Sequence, residues 1–216
     1  AFTTNIKNLI FFGSSCIYPK MSKQPIKEEY LLTAPLEITN EFYALAKISG
    51  IKLCQSLNAQ FKTNYLSVMP CNLYGPNDNY DLNNSHVIPG LLAKMHIAKQ
   101  KNQSKIILWG NKKTKREFLH VDDLADACIM LMKKKYKKKD IINIGSGVEI
   151  TIARLANMIK KIINYKGEVL FDSNQPVGTP RKILDSSNIF EAGWRPKIDL
   201  ITGLEKTYEL RDFRSS

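Results

Sequence analysis

Short apolar runs alternate along the chain with longer segments of helical periodicity, and this alternation restricts the fold more than any other feature. Runs typical of buried strands occupy residues 8–13, the first part of 63–76, 105–110, 142–147 and 168–172. Between them lie segments with apolar residues three or four apart, at about 40–60, 85–100, 121–135 and 151–163. Strands that alternate with helices in this way predict an α/β fold with a mostly parallel sheet.

The first helical segment is predicted to begin at Thr39 or Asn40, because either side chain can cap a helix, and to run to about Gln60. Its expected apolar side consists of Phe42, Leu45, Ile48, Leu53 and Leu57.

The bulk composition indicates a globular protein. The chain has 216 residues, of which 44% are hydrophobic, so it can form the core of one large domain or two small ones. No apolar stretch approaches the roughly 20 residues of a membrane helix, and no signal-peptide cleavage pattern is present. The four cysteines are scattered without the spacing of metal ligands or disulfide frameworks: Cys16, Cys54, Cys71 and Cys128. We therefore expect a cytoplasmic protein with no structural metal and no membrane contact.

The formal net charge is +12, and much of it lies in the lysine-rich run from Lys133 to Lys139. Such runs are usually solvated surfaces, so nucleic acid is not expected as a partner. A small anionic substrate would use a few of these charges.

Tyr43 and Lys47 stand four residues apart on the first predicted helix, some thirty residues after the stretch Gly13, Ser14 and Ser15. Residues at this spacing share a helix face, so the phenol and the ammonium can point into one pocket. A neighbouring cation favours the phenolate, which can exchange a proton with a carbonyl or alcohol, and Ser14 could orient that oxygen. Any amphipathic helix can also produce this spacing by chance.

A dinucleotide-binding fold should begin with a strand and a glycine-rich turn that places pyrophosphate on a helix N-terminus. Nothing before Phe11 supplies such a turn, and the glycines at 145 and 147 lack its spacing. The chain is therefore expected to be the later part of a larger protein.

Four motifs are more specific than the Tyr43–Lys47 pair: SSCIYP at 14–19, NLYGP at 72–76, SHVIP at 85–89 and REFLHVDD at 116–123. Together with their flanks they cover nearly the whole chain, and in this order they closely resemble the GDP-L-fucose synthase family of extended short-chain dehydrogenases/reductases. The resemblance implies a Rossmann-like parallel sheet that lacks its N-terminal part, with a smaller α/β substrate-binding domain. It assigns residues 1–74 and 118–145 to the NADP-binding domain and residues 75–117 and 146–216 to the nucleotide-sugar domain.

The resemblance also implies a reaction. Members of that family convert GDP-4-keto-6-deoxy-D-mannose to GDP-L-fucose by epimerisation at C3 and C5 and reduction of the C4 ketone with NADPH. Epimerisation needs one group to remove a proton and another to deliver one to the opposite face. The matching positions are Cys16 as base and His86 as acid, with Tyr43 on the enolate oxygen, Lys47 beside it and Ser14 on the ketone.

Binding residues follow from the same resemblance. The positions expected at the NADP(H) cofactor are Phe12, Gly13, Ser14, Ser15, Tyr43, Lys47, Pro70, Cys71, Asn72, Leu73 and His86. Those expected at the nucleotide-sugar are Lys94, Trp109, Arg116 and Lys182. Lys94 stands where relatives usually have arginine and so lacks the bidentate guanidinium, and Val177 stands where an acidic residue is common. A homodimer that pairs through the Tyr43 helix is also expected.

Several alternatives remain open from the sequence. Cys16 could be an ordinary core cysteine, His86 a helix cap and Trp109 a packing residue. The substrate could be a different GDP-sugar, or the chain could be a truncated domain that binds a nucleotide-sugar without turning it over.

Overall fold

The computed structural model describes residues 1–172 and 179–210, so Val177 lies outside the described residues. The helices and strands in chain order are β1 (Asn8–Phe12), α1 (Glu41–Phe61), β2 (Asn64–Pro70), β3 (Asn72–Tyr74), α2 (Val87–Gln100), β4 (Lys105–Trp109), β5 (Lys115–His120), α3 (Val121–Lys133), β6 (Ile141–Ile144), β7 (Glu149–Thr151), α4 (Ile152–Ile163), β8 (Glu168–Asp172), β9 (Arg181–Lys182), α5 (Ser187–Glu191) and α6 (Leu200–Glu209). The predicted α/β fold is confirmed. The sequence did not predict the strands β3, β5, β7 and β9 or the helices α5 and α6.

The chain divides into two compact units. The first comprises Ala1–Leu73, Glu117–Val148 and Lys182–Lys197, and the second comprises Tyr74–Arg116, Glu149–Arg181 and the chain from Ile198. The sequence-based division had assigned residues 182–197 to the second domain. In the structure they belong to the first unit, because their apolar side chains Leu184, Ile189 and Trp194 lie in its core.

A parallel three-stranded sheet forms the centre of the first unit. Its strand order is β1-β2-β6, with Phe12 opposite Val68 and Pro70 opposite Ile144 at its carboxyl edge. The central strand β2 is buried along almost its whole length, as expected for a strand that is covered on both faces. All three strands therefore deliver their following loops to the same edge.

Helix α1 packs against β1 and β2 with a face that only partly matches the expected one, since of the expected residues Ile48 is buried and Leu57 is half-buried. Ala44, Ile48, Ile51 and Cys54 are its buried residues, whereas Phe42, Leu45 and Leu53 are exposed. The helix approaches the sheet closely at Gly50, where a Cβ atom would lie 2.3 Å from Cζ of Phe11. The helix thus carries two apolar faces, and only one of them contacts the sheet.

Helix α3 begins at a histidine cap. The Nδ1 atom of the fully buried His120 accepts a hydrogen bond from the Asp122 amide over 3.2 Å, which satisfies one of the amides that a helix start leaves without an internal partner. Asp122 and Asp123 occupy the first turn, where negative charge is favourable.

The second unit contains a smaller parallel pair, in which Lys105 of β4 lies opposite Glu168 of β8 and Trp109 opposite Asp172. Helix α4 packs against α2 and α6 and begins at Thr151, whose hydroxyl accepts from the Arg154 amide. Among the described residues, no helix combines the length and apolar character required to span a bilayer.

Candidate active site

Tyr43 and Lys47 lie together on α1 beside the carboxyl end of β1. The Lys47 ammonium donates a hydrogen bond to the carbonyl oxygen of Phe12 over 2.9 Å, and it lies 5.7 Å from the centre of the Tyr43 ring. The Tyr43 side chain is half-exposed, so its hydroxyl can reach a bound molecule. The lysine is therefore fixed to the strand end, and its charge is fixed close to the tyrosine.

The residues after β1 form a tight turn that presents Cys16. The Ser14 hydroxyl accepts from the Cys16 amide over 3.2 Å, and Ile17, fully buried, anchors the turn Ser15–Ile17 in the core. Helix α1 packs against this turn. A hydroxyl has one donor and two acceptor sites, so Ser14 can hold the turn and still donate to a ligand.

Lys182 contacts Cys16 directly. Its Nζ atom lies 3.4 Å from the sulfur, and both residues belong to the first unit. The structure thus brings together Ser14, Cys16, Tyr43, Lys47 and Lys182 in one unit.

Burial acts on the thiols of the other three cysteines. Burial raises the pKa of the Cys54 thiol and raises that of Cys128 to about 11. The pKa of Cys71 is raised well above its usual value, first by burial and then by the Glu117 carboxylate. Cys16, like Cys128, is half-buried, whereas Cys54 and Cys71 are buried; Cys16 is distinguished by its direct contact with the Lys182 ammonium.

The loops expected at the cofactor occupy neighbouring strand ends. Residues Phe12–Ser15 follow β1, and Pro70–Leu73 end β2 and begin β3. The Cys71 amide donates to the Ile144 carbonyl over 3.0 Å, and the Asn72 side chain donates to the Glu117 carbonyl over 2.8 Å. Ligands of open parallel sheets bind outside the carboxyl ends of the strands.

His86 lies in the second unit, at the start of α2. Its carbonyl accepts from the Gly90 amide over 2.9 Å, while within the described helix its imidazole makes no capping hydrogen bond. The side chain is exposed. The backbone of His86 therefore begins the helix, while its imidazole is accessible and does not cap it. Helix capping thus does not explain why a histidine stands at this position.

Trp109 and Lys94 line a cavity of about 570 Å³ in the second unit. The Trp109 side chain is 75% exposed, which excludes the interpretation as a packing residue and leaves a flat apolar surface for ring contact. The Lys94 ammonium donates to the Ile107 carbonyl over 2.5 Å. The lining contributes three ammonium groups and one carboxylate, and its residues are Leu82, Lys94, Ile97, Lys101, Gln103, Lys105, Ile106, Ile107, Trp109 and Asp172. This balance suits an anionic ligand with a planar ring.

Arg116 also lies in the second unit, at the end of its first segment. Its guanidinium donates to the Lys115 carbonyl over 2.8 Å. Neighbouring charges form a bridged set, in which Glu149 accepts from Lys115 over 2.8 Å and from Arg181 over 2.6 Å.

The sequence interpretation missed Glu117, a fully buried carboxylate in β5. Its oxygens accept from the amides of Gly147 over 2.7 Å and Leu184 over 2.9 Å. Gly145 leaves room for it, because a Cβ atom there would lie 2.4 Å from the carboxylate. An acidic residue inside the apolar stretch EFLH is a signal that could have identified it, since charged residues are almost never fully buried without partners.

A family model described as the NAD dependent epimerase/dehydratase family matches residues 1–145. The chain belongs to the NAD dependent epimerase/dehydratase family. Its curated relatives include the putative GDP-L-fucose synthase 2 of Arabidopsis thaliana, 52% identical over 209 residues. That match covers 97% of this chain and 63% of the relative, so the chain spans less than two thirds of its length.

Two solved structures show the same architecture as this member of the epimerase/dehydratase family. A GDP-6-OMe-4-keto-L-xylo-heptose reductase from C. jejuni superimposes with a TM-score of 0.89 at 36% identity, covering 96% of this chain and 71% of that one. A GDP-L-fucose synthetase from Naegleria fowleri, bound to NADP, gives a TM-score of 0.89 at 26% identity, covering 97% and 67%. Family membership confirms the Rossmann-like fold and the nicotinamide dinucleotide as the class of cofactor.

Proposed function

We propose that the protein containing this chain converts GDP-4-keto-6-deoxy-D-mannose to GDP-L-fucose in the cytoplasm. The observation that carries the proposal is the Ser14–Cys16 turn beside the Tyr43–Lys47 pair, which supplies a thiol and a phenol from one unit. The relative named GDP-L-fucose synthase 2, at 52% identity, supports this choice of substrate. Reduced cysteines in the described residues are compatible with that compartment.

Epimerisation is assigned to Cys16 and His86. The C4 ketone of the substrate acidifies the protons on C3 and C5, so a base can remove one and leave an enolate. We assign the base to the Cys16 thiolate, and the acid that returns a proton on the opposite face to the accessible His86 imidazole. Ser14 donates to the ketone oxygen, where the negative charge of the enolate develops.

Reduction is assigned to Tyr43 and Lys47. NADPH, when bound, supplies the hydride that reduces the ketone. The Tyr43 hydroxyl delivers the proton to the resulting alkoxide oxygen, and the Lys47 ammonium favours the phenolate that remains.

The residues of the first unit fit this cofactor. The carboxyl ends of β1 and β2 lie side by side in parallel register, which is where dinucleotides bind in sheets of this type. Phe12, Gly13, Ser14 and Ser15 would hold the nicotinamide end together with Tyr43 and Lys47. The loop Pro70–Leu73 would complete that side, with His86 as a further contact. The structure bound to NADP named above supports NADP(H) as the dinucleotide.

The second unit is proposed to bind the nucleotide-sugar. Trp109 offers its exposed face to a ring, and Lys94 contributes positive charge for a diphosphate. Arg116 contributes a guanidinium, which can contact phosphate oxygens in a bidentate manner. Lys182 can contribute as well, because an ammonium has three donors and contact with Cys16 uses one of them.

A homodimer is proposed through the second apolar face of α1. Phe42, Leu45 and Leu53 recur at helical spacing and are exposed, Phe42 to 85% and Leu53 to 61%. Large exposed apolar residues that recur on one helix face are typical of a protein interface. A second copy of α1 can cover it by antiparallel helix packing.

The decisive experiment uses the full-length protein with GDP-4-keto-6-deoxy-D-mannose in deuterated water. Deuterium incorporation at C3 and C5 reports epimerisation, and NADPH consumption reports reduction. Cys16→Ser and His86→Asn should mainly lose deuterium incorporation, whereas Tyr43→Phe should lose NADPH consumption. If all three variants retain both activities, the assignments are wrong.

A second candidate is a reductase or epimerase of another GDP-sugar. The C. jejuni heptose reductase, 36% identical, supports it. The same assay separates the two: a product reduced at C4 without inversion at C3 and C5 would favour the second candidate.

A further inference from the structure

Lys182 holds the sulfur of Cys16 from a position far away in the sequence. The Nζ atom donates a hydrogen bond to Sγ over 3.4 Å, and the two residues are 166 positions apart. The resemblance to the fucose synthases placed Lys182 only among the nucleotide-sugar contacts. Its contact with the thiol is a separate feature, and it lies entirely within the first unit.

The backbone around Lys182 is held on two sides. On one side, the Leu184 amide donates to the buried Glu117 carboxylate over 2.9 Å. On the other, the Ile183 amide donates to Oε1 of Gln24 over 2.9 Å, and the Ile26 amide donates to the Ile183 carbonyl over 2.8 Å. The backbone next to Lys182 is therefore held to the core by hydrogen bonds along both of its edges.

The thiol side of the contact is equally well fixed. Ser14 holds the Cys16 amide, and the Ile17 amide donates to the Ser14 carbonyl over 3.2 Å. The next residue, Tyr18, is buried and donates to Oδ1 of Asn143 over 2.6 Å. Two segments that are both hydrogen-bonded to the core thus meet at one sulfur–ammonium contact.

We propose that Lys182 is a positioning residue for Cys16: it stabilises the thiolate and fixes the direction in which the sulfur accepts a proton. An ammonium donates a stronger hydrogen bond to an anion than to a neutral thiol, and a neighbouring lysine increases the reactive thiolate fraction. The effect of Lys182 on catalysis rests on the proposed function, in which the Cys16 thiolate removes a proton from the substrate and thereby becomes a thiol. The contact between Lys182 and the sulfur does not.

The pH profile of Cys16 alkylation tests the contact without substrate or cofactor. Iodoacetamide reacts with the thiolate, and peptide mass spectrometry measures the rate at Cys16 separately from the other cysteines. For Lys182→Met we expect the alkylation rate at Cys16 near neutrality to fall roughly tenfold. Lys182→Arg keeps the charge and should return the profile toward that of the wild type.

Two controls accompany these variants. Lys138→Met removes an exposed lysine of the same unit, one that pairs with Glu191 over 2.9 Å, and should leave the profile unchanged. The buried Cys54 reports folding, because its protection from alkylation should persist in each variant. If Lys182→Met loses that protection, Lys182→Gln, which keeps a polar head group, replaces it. A charge-removing variant that folds and alkylates with the wild-type profile overturns the proposal.

This result is independent of the proposed function. In the full-length protein, Lys182→Met should also move the pH dependence of deuterium incorporation in the same direction. Should Cys16→Ser retain full epimerisation, the base assignment fails while the alkylation result still stands.

Discussion

The Tyr18 hydroxyl donates to Oδ1 of Asn143 over 2.6 Å, and this bond joins the residues after Cys16 to strand β6. Asn143 makes further hydrogen bonds within the core. Its backbone amide donates to the Glu28 carboxylate, and its side-chain amide donates to the carbonyls of Ile26 and Asp185. Burial, followed by the Glu28 charge, raises the pKa of Tyr18, so the phenol remains a donor. The turn that presents the thiol therefore depends on a buried polar network.

Removing this hydroxyl should destabilise the first unit. Tyr18→Phe leaves an oxygen of the fully buried Asn143 without its donor, at a cost of about 1–3 kcal/mol. Urea denaturation gives the free energy of unfolding. Tyr30→Phe is the matched control, because it removes the hydroxyl of a partly exposed tyrosine and should cost less than about 0.5 kcal/mol. Equal losses in the two variants would argue against a special role for the network.

Replacing Lys47 by methionine should impair reduction. The change removes the hydrogen bond to Phe12 and the charge beside Tyr43, so we expect NADPH consumption by the full-length protein to fall by about 100-fold or more. Lys52→Met provides the comparison: this lysine is exposed on the same helix and bonds to Gln55 over 3.1 Å. Its rate should match the wild type, and a Lys47→Met rate within a factor of two would contradict the prediction.

Acidification should destabilise the second unit through His96. Its Nδ1 atom lies 2.9 Å from the Tyr208 hydroxyl, and its pKa is lowered by burial and then by the Lys99 charge. The unfolded chain takes up a proton near pH 6.5, whereas the folded chain resists it. The contribution of His96 to the stability of the fold is therefore fully present above that pH and is lost as the pH falls below it.

The comparison of wild type with His96→Asn isolates this contribution from other titrating groups. Asparagine can keep a polar atom near the position of Nδ1 but does not titrate. Thermal unfolding at about pH 7.5 and 5.5 should show a smaller loss of stability on acidification in the variant. Identical losses in both proteins would rule out His96 as the cause.

A charge on the exposed face of α1 should disrupt the proposed dimer. Leu53→Glu places a carboxylate in the apolar stripe, where its burial against a second copy would be costly. Light scattering after size exclusion should show half the wild-type mass. Leu210→Glu, at another exposed leucine, should leave the mass unchanged. A wild-type protein that is already monomeric, or a Leu53→Glu variant that still dimerises, would exclude this interface.

Local signals predicted the elements of the fold well. Helix α1 was expected from Thr39 or Asn40 to about Gln60 and occupies Glu41–Phe61, although the Asn40 side chain makes no capping hydrogen bond to this helix. Short elements were harder: β5 carries charged residues at its start, and α6 has few apolar residues. Neither element contains a repeat of apolar residues long enough to be identified from its periodicity alone.

Which face of α1 would be buried could not be predicted. Both the face with Ile48 and Ile51 and the face with Phe42 and Leu53 are apolar, and only packing against β1 and β2 selects between them. The face against the sheet includes Ala44, Ile48 and Ile51 and approaches Phe11 closely at Gly50, and this fit depends on the shape of the sheet.

The order of residues by itself determined the parallel α/β class, the helix that carries Tyr43 and Lys47, and the motif in which Cys16 stands. These features depend on spacing and residue type over a turn of helix or the length of a strand. Tertiary structure alone decided that Lys182 meets Cys16 and that Glu117 holds the segment leading to that lysine. Contacts between residues so far apart in the chain depend on how the whole unit packs, and no local pattern encodes that.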